Sequence, residues 1–242
     1  MGESMSNISD QSNPRERISQ VNLVYAQHYQ QVVESLYFEQ GDGEIFIAKT
    51  EEGERMVTCV DISTLYRGKR GKAIVLIEQL TKFKHPCIVE ILKWWMIQDK
   101  LIFIEMEMPK VVSQWKSYCK RKLSTQETID SFHNLVQAVN FLHSQGFTHR
   151  DVHPSRVQQM QDRVKFNLVG FPYNFKKLLK REDFSGHINY SATELILEKA
   201  DLSNKIDLWA LGCTLFFMLH KKDSFDGRDP NEIKKNILNF NQ

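Results

Sequence analysis

One segment near the end of the chain, residues 202–218, is apolar on nearly every side when it is drawn as a helix. Its large apolar residues are Leu208, Trp209, Leu211, Leu215, Phe216 and Phe217. A helix that is hydrophobic all round is normally buried, because water would contact apolar surface on every side. We therefore predict that this helix lies at the centre of a core. A chain of 242 residues is long enough to build such a core around it.

The stretch from about 31 to 108 is typical of a small sheet with one helix. Apolar and β-branched residues predict strands at 32–38, 44–49 and 55–62, joined by the turn signals Gly41-Asp42-Gly43 and Glu52-Gly53-Glu54. Helical spacing of apolar residues predicts a helix at about 70–83, and two further strands at 88–96 and 100–108 follow.

The remaining residues are mainly helical. Ser124 and Glu127 have the spacing of a capping box, in which the serine caps the helix and the glutamate reaches back to its amide. Apolar residues then recur on one face of this helix until Gly146, which is expected to end it. Strands followed by helices indicate the α+β fold class.

Charge and cysteine content exclude several classes of protein. Lys and Arg number 32 against 30 Asp and Glu, so this is not a polybasic nucleic-acid protein. No apolar run reaches membrane-spanning length, and the first residues lack the apolar core of a signal peptide. The four cysteines are far apart, which favours a reducing cytoplasmic location over a disulfide or zinc framework. These cysteines are Cys59, Cys87, Cys119 and Cys213. Association with the cytoskeleton stays open.

Residues 1–20 are polar and are predicted to form a disordered tail. Residues 1–6 fit the N-myristoylation pattern, with Gly2 and Ser6 in place. Glu3 fits that pattern poorly, and no basic cluster follows to assist a single acyl chain. The balance is therefore against acylation at Gly2.

A short polar stretch in the second half, residues 149–157 with the sequence HRDVHPSRV, resembles the catalytic loop of eukaryotic protein kinases, H-R-D-L-K-P-x-N. Five other stretches resemble further segments of that family in the same order. They are 85–89 after the small-lobe helix, 138–147 before the loop, 164–170 at the metal-binding D-F-G, 190–194 at A-P-E and 206–213 in the central helix. Together they span about residues 30–240.

The resemblance implies a two-lobe α+β fold of the protein kinase type. The small lobe would comprise residues 21–108, behind the tail of residues 1–20, and the larger lobe residues 109–242. In this family further helices follow the central helix and supply an arginine partner for the glutamate of A-P-E, here Glu194. The larger lobe is therefore expected to be incomplete, with part of its apolar surface uncovered.

The parts that bind phosphate in this family are degenerate here. In the stretch matching the glycine-rich loop, residues 38–43, only Gly43 matches a family glycine, and Asp42 adds a negative charge. The third-strand lysine is replaced by Cys59 or Asp61, depending on the register, and no lysine lies between residues 49 and 69.

The remaining charged parts also differ. Leu76 stands at the helix glutamate, and Glu78 would point about 200° away around the helix. Leu168 stands at the D-F-G aspartate and Arg156 at the catalytic-loop asparagine, so neither position offers magnesium a ligand. We therefore expect neither ATP nor Mg²⁺ to bind in the usual mode and predict no metal site.

Asp151 matches the catalytic base, with His149 and Arg150 before it, and His153 replaces the lysine that assists the phosphate. Because the base role requires the missing phosphate-binding parts, we interpret Asp151 as mainly structural. His149 and Arg150 have structural roles in this family, in packing the core and tethering the activation segment.

Two further positions bear on the pocket and on substrates. Either Glu105 guards the back of the nucleotide pocket, or Met106 does so and Glu107 is the hinge acid; strand alternation does not settle which. His187 replaces the usual threonine of the substrate-docking loop, and residues 171–184 offer only Tyr173 for phosphorylation.

The resemblance therefore implies a pseudokinase that acts as a scaffold, structural subunit or allosteric partner. The alternatives are a divergent active Ser/Thr kinase that uses Asp151 as base, and a nucleotide sensor that needs no metal. Uncovered apolar surface usually marks an interface, so we expect a protein partner or a larger assembly to cover that face. The other explanation of the short lobe is that the sequence is a fragment of a longer gene product.

Overall fold

The computed structural model describes residues 31–37, 44–61, 67–97, 99, 101–108, 113–114, 116, 119–159, 164–166, 188–197 and 203–240. Strands dominate the first half and helices the second, which confirms the predicted α+β class. None of the helices in this part of the chain combines the length and the hydropathy needed to cross a bilayer.

The first half forms a five-stranded antiparallel sheet with the order β1-β2-β3-β5-β4. Its strands are β1 (Gln31–Tyr37), β2 (Glu44–Thr50), β3 (Gly53–Asp61), β4 (Ile91–Ile97) and β5 (Leu101–Met106), and α1 (Arg67–Leu80) connects β3 to β4. Gly53 has a φ of 114°, which only glycine adopts readily, so the predicted second turn is confirmed. The strand predicted to begin at residue 88 begins at Ile91, because residues 85–88 form a turn in which the Ile88 N–H donates to the His85 carbonyl.

The two faces of this sheet have different neighbours. Successive side chains of a strand point to opposite faces. Met56 of β3 lies opposite Met106 of β5, and both belong to one core cluster with Ala73 and Ile77 of α1. Phe103 of β5 is also buried but lies outside that cluster, where it stacks on Trp95 at 5.5 Å. The α1 face therefore carries the main core.

The second half is built around two long helices, α2 (Thr125–Ser144) and α4 (Lys205–His220). The shorter helices are α3 (Thr193–Ile196) and α5 (Pro230–Asn239), and a small sheet joins β6 (Ser113–Gln114), β7 (Val157–Gln159) and β8 (Val164–Phe166). The apolar core runs without interruption from α1 to these helices, so both halves share it. Its cysteines, Cys87, Cys119 and Cys213, are buried and are present as thiols.

The predicted capping box at the start of α2 is confirmed. The Glu127 N–H donates to Ser124 Oγ at 3.1 Å, and the Ser124 N–H donates to Glu127 Oε2 at 2.8 Å. These two bonds satisfy amides that the helix itself cannot. The bond from Ser124 also lowers the pKa of Glu127 from its ordinary value, because it favours the ionised carboxylate.

Replacing Ser124 with alanine is expected to lower the free energy of unfolding by about 1 kcal/mol, because the first turn of α2 loses its cap. Chemical denaturation of both proteins would measure this difference. Ser144 near the other end of the same helix offers a matched control. Its exposed hydroxyl donates to the Phe141 carbonyl at 2.7 Å and accepts from Gln145 Nε2 at 3.4 Å, so it does not cap the first turn. Equal losses for the two alanine variants would contradict the capping role.

The expectation that residues 202–218 form a fully surrounded helix is only half right. The helix is α4, and one of its sides is buried through residues such as Ile206, Ala210 and Phe217. On the other side Leu208 is 55% exposed and Leu219 is 58% exposed. Among the described residues, α4 therefore buries one side and exposes apolar side chains on the other.

Candidate functional site

The loop that contains residues 149–156 is anchored by one buried carboxylate of α4. Asp207 Oδ2 accepts a hydrogen bond from the His149 N–H at 2.8 Å, and Oδ1 accepts one from the Arg150 N–H at 2.7 Å. His143 of α2 places its Nε2 2.8 Å from Oδ2 as well. Asp207 is missing from the site residues predicted above, although a lone acid on an apolar helix is a signal of such a role.

These bonds stabilise an unusual backbone conformation. Arg150 has a φ of 67°, in the left-handed region that a residue with a Cβ seldom adopts. The two bonds bind the amides of the two successive peptides before the Arg150 Cα, so they hold the backbone that leads into this conformation. The Arg150 side chain is exposed, whereas its neighbours His149 and Asp151 are buried.

The carboxylate of Asp151 forms an ion pair with Arg156. Arg156 Nε donates to Asp151 Oδ2 at 2.8 Å, and Arg156 Nη2 lies 2.8 Å from the same oxygen. Asp151 is only 5% exposed and Arg156 only 3%, so the pair is desolvated. The short 3₁₀ turn Pro154–Arg156 carries the arginine back toward the aspartate five residues earlier. The cation at residue 156 therefore lies against the predicted base.

His153 contacts the other side of the same carboxylate. Its Nε2 lies 3.4 Å from Asp151 Oδ1, and its ring is buried. Burial acts to raise the pKa of Asp151, but the Arg156 guanidinium, with His153, holds that pKa well below its usual range. The carboxylate is thus ionised, hydrogen-bonded through Oδ2 to Arg156 and adjacent to His153 at Oδ1.

The two buried histidines of the loop are neutral at physiological pH. Burial lowers the pKa of His149 to about 4, although Asp207 and Asp151 oppose the shift. Burial likewise lowers the pKa of His153 to about 4, against the opposite effect of Asp151. The Asp151 N–H points to His149 Nδ1 at 3.2 Å, which makes Nδ1 the acceptor and places the ring proton on Nε2.

This arrangement does not fit a magnesium ion. Magnesium is bound through oxygen ligands, whereas Arg156 presents only N–H donors and carries a positive charge. Within the described residues no group of three His, Cys, Asp or Glu side chains could hold a metal. The guanidinium therefore occupies the side of Asp151 on which the kinase pattern expects a metal ligand.

The α1 helix offers the sheet no carboxylate. Leu76 is half-buried and packs against the core, whereas Glu78, the one acid in α1, is exposed. Cys59 and Asp61 both lie in β3, where their backbones pair with Phe103 and Leu101 of β5.

The structure distinguishes the two residues that the sequence left as alternatives at the back of the pocket. Glu105 lies opposite Val57, on the face turned away from α1, where Lys93 Nζ is 3.3 Å from its Oε2 and Arg55 Nε is 3.8 Å from its Oε1. Met106 is fully buried on the α1 face. Met106 is therefore the better match, and Glu107, which accepts a hydrogen bond from the Glu90 N–H at 2.9 Å, follows as the hinge acid.

Several predicted features lie outside the described residues. They are the tail with Gly2, the glycine-poor loop with Asp42 and Gly43, Leu168, Tyr173 and His187. Glu194 is described, and it accepts a hydrogen bond from the Thr193 hydroxyl at 3.3 Å.

Comparison with known proteins shows the family to which the chain belongs. The family described as "Protein kinase domain" matches residues 40–242. Sperm motility kinase 1 of Mus musculus is 31% identical over 163 residues, which cover 66% of this chain and 34% of that protein. A probable serine/threonine-protein kinase of Dictyostelium discoideum is 29% identical over 156 residues, covering 62% of this chain and 30% of that protein. Sporulation protein kinase mde3 of Schizosaccharomyces pombe is 24% identical over 210 residues, covering 78% and 37%.

The chain thus spans about a third of the length of the curated relatives it matches. The match covers both the antiparallel sheet and the helical half. The resemblance drawn from the catalytic-loop sequence is confirmed: the chain belongs to the eukaryotic protein kinase superfamily and has the α+β kinase fold.

Proposed function

We propose that this chain is a pseudokinase, a kinase fold that binds a protein partner but does not transfer phosphate. The observation that carries the proposal is the buried ion pair between Arg156 and Asp151. The residue that matches the catalytic base is bound by the residue that stands where the family has a metal ligand. The side chains at the base position and at the metal-ligand position therefore bind each other instead of substrate and metal.

The chemistry explains why this pair opposes catalysis. Phosphoryl transfer depends on metal ions that bridge the phosphate oxygens and neutralise the developing charge. It also depends on a base that can reach the proton of the attacking hydroxyl, within about 3 Å. Asp151 is buried against the cationic Arg156 and the neutral His153, and its pKa is held low. It is therefore a poor proton acceptor. If the protein is active, the family implies that it is a Ser/Thr kinase.

A thermal-shift titration with ATP, with and without Mg²⁺, tests the proposal. A ligand that binds the folded state at 100 times its Kd stabilises it by about 2.7 kcal/mol, which corresponds to roughly 5–10 °C in a domain of this size. We expect less than about 1 °C of change at millimolar ATP in either condition, because the charged parts that hold the nucleotide are replaced. ADP and an unrelated nucleotide such as CTP serve as matched ligands.

Each positive result would point to a different function. A shift that requires Mg²⁺ would contradict the metal argument. A shift without Mg²⁺ would favour a metal-independent nucleotide sensor. Phosphate release or autophosphorylation that is abolished by Asp151→Asn would establish an active kinase and overturn the proposal.

A further inference from the structure

The central strands of the five-stranded sheet are buried on both faces. In β5 the side chains of residues 102–106 are all buried, without the alternation of a sheet that has one solvated face. In β3, Val57 is 0% exposed and Thr58 is 1% exposed, although successive side chains of a strand point to opposite faces. The core around α1 covers one of these faces. A second layer must cover the other, here called the far face. The far face includes Ala48, Val57, Phe103 and Glu105.

Neighbouring strands shield the far face only from the side. Trp95 of β4 stacks on Phe103. Lys93 and Arg55 approach Glu105 from the strands on either side of it. Lateral neighbours of this kind do not enclose a side chain of a central strand, because the space above the sheet stays open to water. Because this burial arises within one chain, the covering layer is a segment of the same chain.

The course of β1 points to residues 21–30 as this layer. β1 begins at Gln31 on the edge of the sheet, opposite Lys49 of β2 and therefore one residue from Ala48 of the far face. The chain before Gln31 thus reaches the sheet at the end where β5 finishes. Residues after β5 instead lead to β6, which pairs with β7 in the second half. The connections that leave the sheet at its opposite end are 38–43, 62–66 and 98–100.

Residues 21–30 have the composition and the length for such a layer. Their sequence, VNLVYAQHYQ, contains no Asp, Glu, Lys or Arg. Drawn as a helix, it gathers large apolar and aromatic residues on one side. These residues are Val21, Val24, Tyr25 and Tyr29. A helix of ten residues is about 15 Å long. The three strand spacings from β1 to β5 add up to about 14 Å, so such a helix spans the far face.

We propose that residues 21–30 form a helix that crosses β1, β2, β3 and β5 on the far face and closes the small lobe from that side. Its apolar side packs on Ala48, Val57 and Phe103. Its tyrosine hydroxyls supply donors for the buried Glu105 carboxylate, which would be costly to bury without hydrogen bonds. The inference does not depend on the pseudokinase proposal, because no residue of the loop 149–156 takes part in it.

Two aspartate substitutions in the full chain test which side of the segment is buried. Tyr25→Asp places a charge against the far face and should lower Tm by about 5 °C or more. Leu23→Asp lies about 200° away around the helix and should lower Tm by less than about 2 °C. Differential scanning fluorimetry measures both shifts. Equal shifts for the two variants, or no shift for Tyr25→Asp, would overturn the inference.

Thiol labelling distinguishes the loss of a covering helix from a general loss of stability. Val57→Cys and Thr58→Cys, each in a Cys59→Ser background, place one thiol of β3 on either face of the sheet. Addition of Tyr25→Asp should speed alkylation at residue 57 by about tenfold or more and at residue 58 by less than about twofold, because only the far face opens. Equal acceleration at both positions, or none at either, would contradict the proposed layer.

Photo-crosslinking locates the segment without a destabilising charge. A benzophenone amino acid in place of Tyr25 should form links to residues 44–61 and 101–106 of the same chain, identified by mass spectrometry of the monomer band. The same probe at Ser6, in the predicted tail, should show no such preference. Links from position 25 to α1 or α2 would show that the segment lies elsewhere, and the inference would be wrong. Links found only in a band of dimer mass would mean that the segment covers a second copy, which also contradicts it.

Discussion

Replacing Arg156 with methionine is expected to lower the free energy of unfolding by about 3–5 kcal/mol, the usual loss when one partner of a buried ion pair is removed. Methionine keeps most of the aliphatic stem but leaves the Asp151 carboxylate, which is 5% exposed, without the guanidinium that binds Oδ2. Denaturant unfolding at pH 7 would measure the loss. In a domain of this size it corresponds to a fall in Tm of roughly 6–20 °C.

Two controls separate the ion pair from ordinary packing. Arg150→Met changes an exposed arginine of the same loop and is expected to stay within about 0.5 kcal/mol of the parent. Asp151→Leu combined with Arg156→Met removes both charges and should recover most of the stability, because replacing a whole buried pair by apolar residues is often nearly neutral. A loss below about 1 kcal/mol for Arg156→Met alone would contradict the structural role of the pair.

The ion pair could be anticipated only in part from the sequence. The motif placed Asp151 and Arg156 five residues apart and showed that a cation replaces the metal-binding asparagine. It did not show where the guanidinium points, because that depends on the 3₁₀ turn Pro154–Arg156 and on the burial of the loop. Asp207, which positions the loop, was visible as an acid in an apolar helix. Its bonds to His149 and Arg150, however, are tertiary contacts between residues that lie 58 and 57 positions apart in the sequence.

The pocket residue shows a second limit of sequence reasoning. Glu105 and Met106 are adjacent and lie on opposite faces of β5, so a shift of one residue exchanges them. The register with β3 decides between them, and it is fixed by pairing with Met56 and Val57 rather than by any pattern within β5. The exposure of one side of α4 was harder still to predict at residue level, because helix hydrophobicity does not say which neighbours are present.

Stability is expected to fall as the pH is lowered from about 6.5 toward 4, and this is the second large effect. The pKa of both His149 and His153 is lowered to about 4 by burial, whereas a histidine in the unfolded chain titrates near 6.5. Between these values the unfolded state binds more protons than the folded state, so acid favours unfolding. The contribution is fully present above about pH 6.5 and is lost progressively below it.

The expected size of this effect is substantial. At pH 5 each histidine would reduce the free energy of unfolding by about 2 kcal/mol relative to pH 7.5, since one pKa unit corresponds to about 1.4 kcal/mol. The low pKa of Asp151 acts in the same direction but only below about pH 4, where the unfolded carboxylate becomes protonated. Urea unfolding at pH 7.5, 6.0 and 5.0 would therefore isolate the histidine contribution.

Single substitutions test whether the buried histidines cause this slope. His153→Gln cannot titrate in this range and should remove about half of the loss between pH 7.5 and 5.0, whatever its effect on stability at pH 7.5. His220→Gln, at an exposed position in the last turn of α4, should leave the slope unchanged. If stability is constant over this range, the rings do not stay neutral in the folded loop, and a protonated His153 would then join Arg156 beside Asp151. If His153→Gln instead retains the full slope, the acid sensitivity comes from groups other than this ring.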